Sequence, residues 1–506
     1  MFNFNFRKAK EHPKEEPKLY IGKAKVRNEP VLGNLGIETK RSISSISAGN
    51  PAAQLGTFGA VGKSGSINAV INRVLNTAVL QSRQLSMSNP IHKKYIAQNA
   101  SSVCGANGIT YRPCVHVSDD DNVNNDINKR LTDAFYSWCE DPARFSLNGK
   151  LEMSKFQSLV EKTRSIDGSC FIRIHPGMKI EVLDSTVIDT KGNQWLSNGN
   201  YRSNGIEFEK GTGKPVAYFL TQYDPVTYAV STEAERVPAE EILHLFSTDY
   251  PEQQRGIPDI FCGTGLLADL DKFMRASIKT RQIAAEAMGF ITNPTRDASF
   301  EDIDDEDDDD VDEYQVARME GGVLLELREG QQIQSLNPTQ TFDKLQEFLD
   351  NQLMFVGMSL DMTPQTLTGS TAGASFSASK LTDKIQQNTF LAKQNNLVKS
   401  VLQPLYIKWL KNEMLNNPEL KDLPFSKFTE LTECNFIPQR HISLDPLKDL
   451  QTEILAMVNG LKSKEQIITE MGYSPVLTHE QINKEEKIDG SEKSKTDEGD
   501  TSTDNQ

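Results

Sequence analysis

Long apolar runs are missing from this 506-residue chain. No window approaches the roughly 20 consecutive apolar residues that a membrane helix needs, so no membrane span is expected. Cysteines are few and scattered. Cys104, Cys114, Cys139, Cys170, Cys262 and Cys434 form no C-x-x-C pair and no Cys/His group with zinc spacing. The expectation is therefore buried or incidental thiols in a reducing cytoplasm, with no metal site. Positive charge is also short. With 55 Lys+Arg against 70 Asp+Glu, the formal charge is −15 and the pI is near 5.1. Tight non-specific DNA binding comes from neutralising phosphates and releasing their counterions. An acidic chain is better suited to let DNA pass than to grip it.

Catalytic signatures are absent as well. There is no G-x-S-x-G, no H-E-x-x-H, and no G-x-G-x-x-G between a strand and a helix. Gly62-Lys63-Ser64 ends like a phosphate-binding loop, but Thr57 stands where that motif needs its first glycine, and no strand precedes it. His175 and His244 sit in apolar, strand-like segments without a paired Ser or Cys motif, which reads as core or interface histidine. Catalytic, cofactor-binding and metal-ligating residues are all expected to be none.

What is present is a polar, segmented chain. Apolar residues make up 37% and the mean hydropathy is −0.49, values that fit polar tails on an elongated or oligomeric body. Length alone suggests about three domains. Residues 1–66 lack a sustained period and read as mostly mobile. Helical spacing runs over 66–99 and 126–139. Short β-branched or aromatic stretches bounded by Gly, Pro, Asn and Asp predict strands at 170–175, 180–182, 205–208, 216–220 and 227–230, with another carrying His244. A helix of roughly six turns follows from Gly265. Then come an acidic run at 299–313 with eleven Asp or Glu, a strand or hairpin arm at 321–330, and a second helix over 342–357. A long helix over 378–416 holds Pro404 as a kink point. Short helices fill 443–483, and a charged tail ends the chain.

Three stretches invite functional readings. On the first long helix Lys272, Arg275 and Lys279 share one face at i, i+3 and i+7, either as a solvated basic face or as a face turned to DNA or to a neighbouring acid. The acidic run has neither the turn glycine nor the ligand spacing of a calcium loop, and reads as a self-repelling solvated segment. Residues 363–377, TPQTLTGSTAGASFS, carry no charge and many small hydroxyls. A structureless loop of that length usually has a functional reason.

The order of several motifs resembles the portal proteins of lambda-like tailed phages. Leu243-His244-Leu245-Phe246, then Gln254-Arg255-Gly256-Ile257-Pro258, then a long helix, follow that family's pattern. So does 205–220, with Gly205, Glu207, Gly213, Pro215, Ala217 and Tyr218 in register; Glu209 and Lys214 stand where the family often has Asp and Arg. Asn89-Pro90 with Gly105 and Gly108, 166–175, 376–410 and the Asp-Pro segment of 444–462 extend the similarity over roughly 88–470. Each motif alone is weak; their collinearity is specific.

The resemblance implies an α+β portal fold and a ring oligomer, twelve subunits at one capsid vertex. It implies a flexible N-terminal region (1–66), a β-rich wing (67–263), a stem helix (264–290) and a small α/β clip containing the acidic run (291–339). A second stem helix (340–358), a tunnel loop (359–377), the rest of the wing with its long helix (378–439), a helical crown (440–485) and a tail (486–506) complete the division. Double-stranded DNA would be packaged by the terminase motor through the ring and later ejected, past Thr366, Thr368, Ser370, Thr371, Ser375, Lys380 and Lys384. Lys272, Arg275 and Lys279 would line the stem channel or meet the next subunit. Glu326, Arg328 and Glu329 of the clip would dock the terminase large subunit or the head-completion connector. His244, Gln254, Arg255, Gly256 and Pro258 would be structural. Further partners would be the major capsid and scaffold proteins, with no membrane and no cofactor. The protein would reside in the virion, and in the host cytoplasm during assembly. Two other classes fit the residues less well: a metal-dependent DNA-processing enzyme using clustered carboxylates, and another ring-shaped structural adaptor.

Overall fold

The computed structural model describes residues 66–224, 226–227, 229–285, 289–292, 332–335, 345–370, 375–439, 445–471, 478–479 and 481–482. The Gly62-Lys63-Ser64 tripeptide, the acidic run, the expected strand at 321–330, and Glu326, Arg328, Glu329 and Thr371 lie outside these residues.

The helical signal over 66–99 resolves into two helices, α1 (Ile67–Ser88) and α2 (Pro90–Cys104). Asn89 is the divider. Its extended backbone ends α1, while its side chain accepts from Ile91 N at 3.0 Å and His92 N at 3.2 Å, and Pro90 occupies the first position of α2. Next come β1 (Thr110–Pro113), α3 (Asp121–Cys139), the short α4 (Pro142–Phe145) and α5 (Met153–Asp167). Hydrophobic spacing does not announce α5, because its inward face is largely polar: Gln157, Glu161, Arg164, Ser165 and Asp167 are all buried.

Strands β2 (Ser169–His175), β3 (Lys179–Leu183) and β9 (Ile242–Phe246) form one antiparallel sheet in the order β3-β2-β9. Between β3 and β9 runs a five-stranded meander of β4 (Gln194–Trp195), β5 (Tyr201–Ser203), β6 (Ile206–Phe208), β7 (Pro215–Tyr223) and β8 (Val230–Pro238). Then follow α6 (Thr264–Ala285), the paired β10 (Gly289–Thr292) and β11 (Gln332–Ser335), α7 (Leu345–Ser359) and α8 (Pro364–Thr368). Helix α9 (Phe376–Leu397) continues through a π turn (Val398–Leu402) into α10 (Gln403–Asn416). The wide turn explains Pro404. Gln403 N–H bonds Val398 O five residues back, loosening the spiral just where a residue without an N–H must fit. The chain then forms α11 (Phe428–Leu431), β12 (Cys434–Ile437), α12 (Pro446–Val458) and α13 (Lys464–Glu470).

The main core joins distant parts of the chain. Trp409 of α10 is fully buried and meets Phe135 of α3 edge-on, with ring centroids 5.0 Å apart; Tyr111 of β1 lies 4.6 Å from Tyr406. Strand β12 pairs antiparallel with β1, from Thr110↔Ile437 to Pro113↔Cys434. Residues 90–180 and 376–437 thus fold into one body, α+β in class. A second core of Phe171, Ile188, Ile206, Phe208, Tyr218, Leu220, Val237 and Ile242 lies where the two sheets meet.

Candidate functional site

The segment after β9 forms a buried junction. His244 pairs across the sheet with Phe171, and four planar groups stack in line. The Arg255 guanidinium lies 4.7 Å from the Phe171 ring, Phe171 stacks on His244 at 4.2 Å, and His244 stacks on Phe246 at 4.5 Å. Arg255 is buried and donates to Asn204 O at 3.3 Å, while its Nε and the His244 Nε2 have no hydrogen-bond partner. Burial, reinforced by the Arg255 charge, pushes the His244 pKa well below the usual imidazole value, so this ring is neutral. Burial also lowers Arg255 to about 10. Among the described residues, His244 meets the Phe171, Tyr218 and Phe246 rings, and the stack brings no nucleophile to it.

The other motif residues fasten elements together. Gln254 N donates to Asn68 Oδ1 of α1 at 3.0 Å, and Gln254 Oε1 accepts from Asn204 at 3.1 Å. At Gly256 a Cβ would sit 1.8 Å from the carbonyl oxygen of Gly168, so two backbones cross where no side chain fits. Gly256 N donates to Ser169 Oγ at 2.9 Å. Pro258 O closes the turn by accepting from Phe261 N at 2.9 Å.

Asp259 then enters a buried ionic group that sequence reasoning missed. Arg164 donates to both its oxygens at 3.0 and 2.9 Å, and Tyr95 donates to it at 2.6 Å. Arg164 also bonds Glu161 at 2.7 Å. Lys393 of α9 donates to Asn99 Oδ1 at 2.9 Å and lies 4.0 Å from Asp259. Two cations thus face two anions. Burial works against ionising Asp259, but the Arg164 and Lys393 charges outweigh it and hold the carboxyl below its usual range. The one sequence signal was the Glu161/Arg164 i,i+3 pair, which is too common to single out.

The family-like segment 205–220 is structural too. Glu207 is fully buried and accepts from Arg236 Nε at 2.7 Å, Asn200 at 2.7 Å and Asn198 at 2.9 Å. The Arg236 hydrogen bond leads in lowering its pKa to about 2. His175 lies at 2.7 Å from Glu181 at the sheet edge.

The described candidate channel residues are exposed or half-buried and lie on or beside helices. Helix α6 buries Leu267 and Leu270 and packs on α7, with Phe273 and Phe348 rings 4.6 Å apart beside a groove of about 310 Å³. Its basic face is exposed but partly neutralised from within the helix: Lys272 pairs with Asp269 at 3.3 Å and Arg275 with Asp271 at 2.9 Å. Lys279 is exposed. Between them stand exposed Met274 and Ile278, and α7 exposes Phe348, Phe355 and Met358.

The expected structureless stretch at 363–377 is partly helical. Thr363 caps α8, Pro364 starts it, and Gly369 ends it in the left-handed conformation at φ 74°. Thr366 Oγ1 lies 2.8 Å from Thr363 Oγ1, Thr368 Oγ1 bonds Pro364 O, and Ser370 N bonds Thr368 Oγ1. Ser375 caps α9 by accepting from Ala378 N. Lys380 pairs with Asp449 of α12 at 3.5 Å, and Lys384 is exposed. Those of these residues that are described thus lie on or beside α6, α8 and α9 rather than in the His244 stack.

The model of the lambda family of phage portal proteins matches residues 57–394. The chain belongs to that family. A relative described as a probable portal protein, from Halomonas phage phiHAP-1, is 23% identical over 436 residues, covering 83% of this chain and 82% of the relative. Solved structures with similarity include a chain from the neck of an empty gene transfer agent particle, at TM-score 0.44 and 12% identity, covering 79% of this chain and 94% of that one. A chain from the virion of the native gene transfer agent particle matches at TM-score 0.39 and 13% identity, with the same coverage. As a portal-family member the protein is a structural, non-enzymatic component of the phage particle. That replaces the DNA-processing-enzyme alternative. Among the described residues, no helix is long and apolar enough to cross a membrane.

Proposed function

We propose that this portal protein assembles as a closed ring of twelve subunits at one capsid vertex. Double-stranded DNA is driven through the ring by a terminase motor and later leaves by the same route. The observation that carries this reading is the portal-family match over 57–394, which contains both α6 and α7. Two features support it. Helices α6 and α7 pack on each other by one face and keep apolar side chains exposed on others, as expected of helices that meet neighbouring subunits. On α6 the basic residues are interleaved with acids, which suits a channel that centres DNA without binding it.

In this reading 67–263 and 378–439 form the wing, 264–290 and 340–358 the stem, and 291–339 the clip. The tunnel loop is 359–377, and the crown is 440–485. Glu326, Arg328 and Glu329 contact the terminase large subunit, then the head-completion connector. Thr366, Thr368, Ser370, Thr371, Ser375, Lys380 and Lys384 face the DNA path, and Lys272, Arg275 and Lys279 face the channel or the next subunit. Capsid and scaffold proteins surround the wing.

Deleting residues 366–375 tests the loop assignment. The expected result is unchanged oligomer formation with DNA packaging or retention reduced by about tenfold or more, read by nuclease-protected DNA per particle. Loss of the oligomer, or full packaging, would contradict it.

A further inference from the structure

Helix α9 buries two polar side chains, Gln386 and Gln394, beside the apolar Phe390 and Leu397. Past the π turn, α10 is anchored by apolar groups of the main core, Tyr406 and Trp409 among them. Burying an amide is costly unless its donor and its acceptor are both bonded. Gln386, only 3% exposed, meets that condition on one short turn of chain. Its Oε1 accepts from Thr363 N at 2.7 Å, and its Nε2 donates to Asp361 O at 3.0 Å. A second buried glutamine makes the same kind of clamp elsewhere: Gln157 Oε1 accepts from Ile109 N at 2.7 Å, and its Nε2 donates to Ile109 O at 3.0 Å.

The turn held by Gln386 is a demanding one. Asp361 stands in the left-handed region at φ 52°, where a residue with a Cβ is disfavoured. The chain folds back on the end of α7: Met362 N bonds Gly357 O at 2.9 Å, and a Cβ at Gly357 would lie 2.7 Å from Met362 O. Thr363 then caps α8. In a capping box the N–H of the cap residue is satisfied by a Glu or Gln three positions on. Here that position is Thr366, whose side chain meets the Thr363 hydroxyl, and the Thr363 N–H is taken by Gln386 from another helix.

We propose that Gln386 is the positioning residue of the 361–370 segment, tying it to α9 and not solely to α7, the helix it follows in sequence. The inference rests on the reading of 359–377 as the tunnel loop and deepens it: the docking of α9 sets where Thr366, Thr368 and Ser370 stand. Helix α9 is itself pinned to α2. Lys393 donates to Asn99 Oδ1 at 2.9 Å, and Gln394 donates to Ser102 O at 3.3 Å. Met362 and Leu367 bury the segment in the main core and so fix its depth. Apolar contact is not directional, and the two Gln386 hydrogen bonds supply the direction.

The test is amide hydrogen exchange on the full-length protein, with Gln386→Leu and Gln394→Leu compared. Each variant removes a buried amide from the same helix, but Gln394 bonds α2 and not the turn. In the wild type the Thr363 amide should exchange at least about 100-fold more slowly than in an unstructured peptide. Gln386→Leu should speed exchange over 361–370 by about tenfold or more and leave 403–416 unchanged, while Gln394→Leu should leave 361–370 within about twofold. Equal effects of the two variants on 361–370, no effect of Gln386→Leu there, or an equal acceleration of 403–416 overturns the positioning role and leaves the tunnel-loop reading intact. If Gln386→Leu does not fold, the wild-type Thr363 amide decides, and unprotected exchange there overturns the proposal. Nuclease-protected DNA per particle separates the two readings: loosened 361–370 with full packaging contradicts the tunnel-loop reading and leaves the positioning role standing.

Discussion

Gly256 and Gly168 cross with no room for a single methyl group, and Gly168 itself holds φ 78°. Gly256→Ala is therefore expected to destabilise the fold by more than about 3 kcal/mol, read by thermal denaturation. A smaller loss would mean that the junction relaxes easily. The same junction makes stability depend on pH. His244 and His92 are buried, and burial lowers both pKa values below the unfolded value near 6.5, His92 to about 4. The unfolded chain then binds more protons than the native one below about pH 6.5. Stability from these two groups is full above that value and is lost as pH falls through it. Melting temperature should drop between pH 7.5 and 5.5, and His244→Leu should flatten the drop, although the variant starts lower at pH 7.5. An unchanged slope would place the proton uptake elsewhere. Residue identities at this junction were legible in the sequence as a family-like pattern, and their physical roles were not. Neither the glycine crossing nor the Arg255–Phe171–His244 stack is visible until 168, 171 and 256 are brought together in space.

Elements were legible where burial was apolar. The spacing of Ile127, Leu131, Phe135 and Trp138 marked α3, and Asp120 caps it. Short β-branched, aromatic or apolar stretches marked β2 and β9. Helix α5 was missed because its buried face carries Glu161, Arg164, Ser165 and Asp167, which a hydrophobic period cannot register. The short strands β4 and β5 were missed because they are mostly polar and only two and three residues long. That polar face of α5 now yields a contrast. Arg164→Met leaves Asp259 and Glu161 buried beside fewer cations and should cost about 3–5 kcal/mol. Arg275→Ala on α6 removes an exposed i,i+4 pair and should change stability by less than about 0.5 kcal/mol. Thermal denaturation of both variants checks this, and similar losses would show that the Arg164 group is not an interior clamp. Helix α8 shows the opposite error: Thr363-Pro364 and Gly369 are start and stop signals that outweigh the small-residue composition of the stretch.

At the scale of the whole molecule, charge and exposed surface belong together. The chain carries −15, so twelve copies carry about −180. The assembled particle should bind free duplex DNA no more tightly than about 10⁻⁵ M at physiological salt, as measured by filter retention, and with a shallow salt dependence. Tight binding with a steep salt slope would point to a gripping surface, contrary to a channel that lets DNA slide. Exposed apolar side chains recur on several helices, Ile278 on α6, Phe355 and Met358 on α7, Leu381 and Ile385 on α9, and the proposed ring would use such positions at its subunit contacts. Assembly into that ring is the central claim. Mass photometry of the purified protein, with negative-stain imaging, tests it most directly. Twelve copies of a 56.5 kDa chain give a particle of about 680 kDa with a central hole, and this is the expected result. A chain that remains a monomer at high concentration and in the presence of scaffold protein would contradict the account.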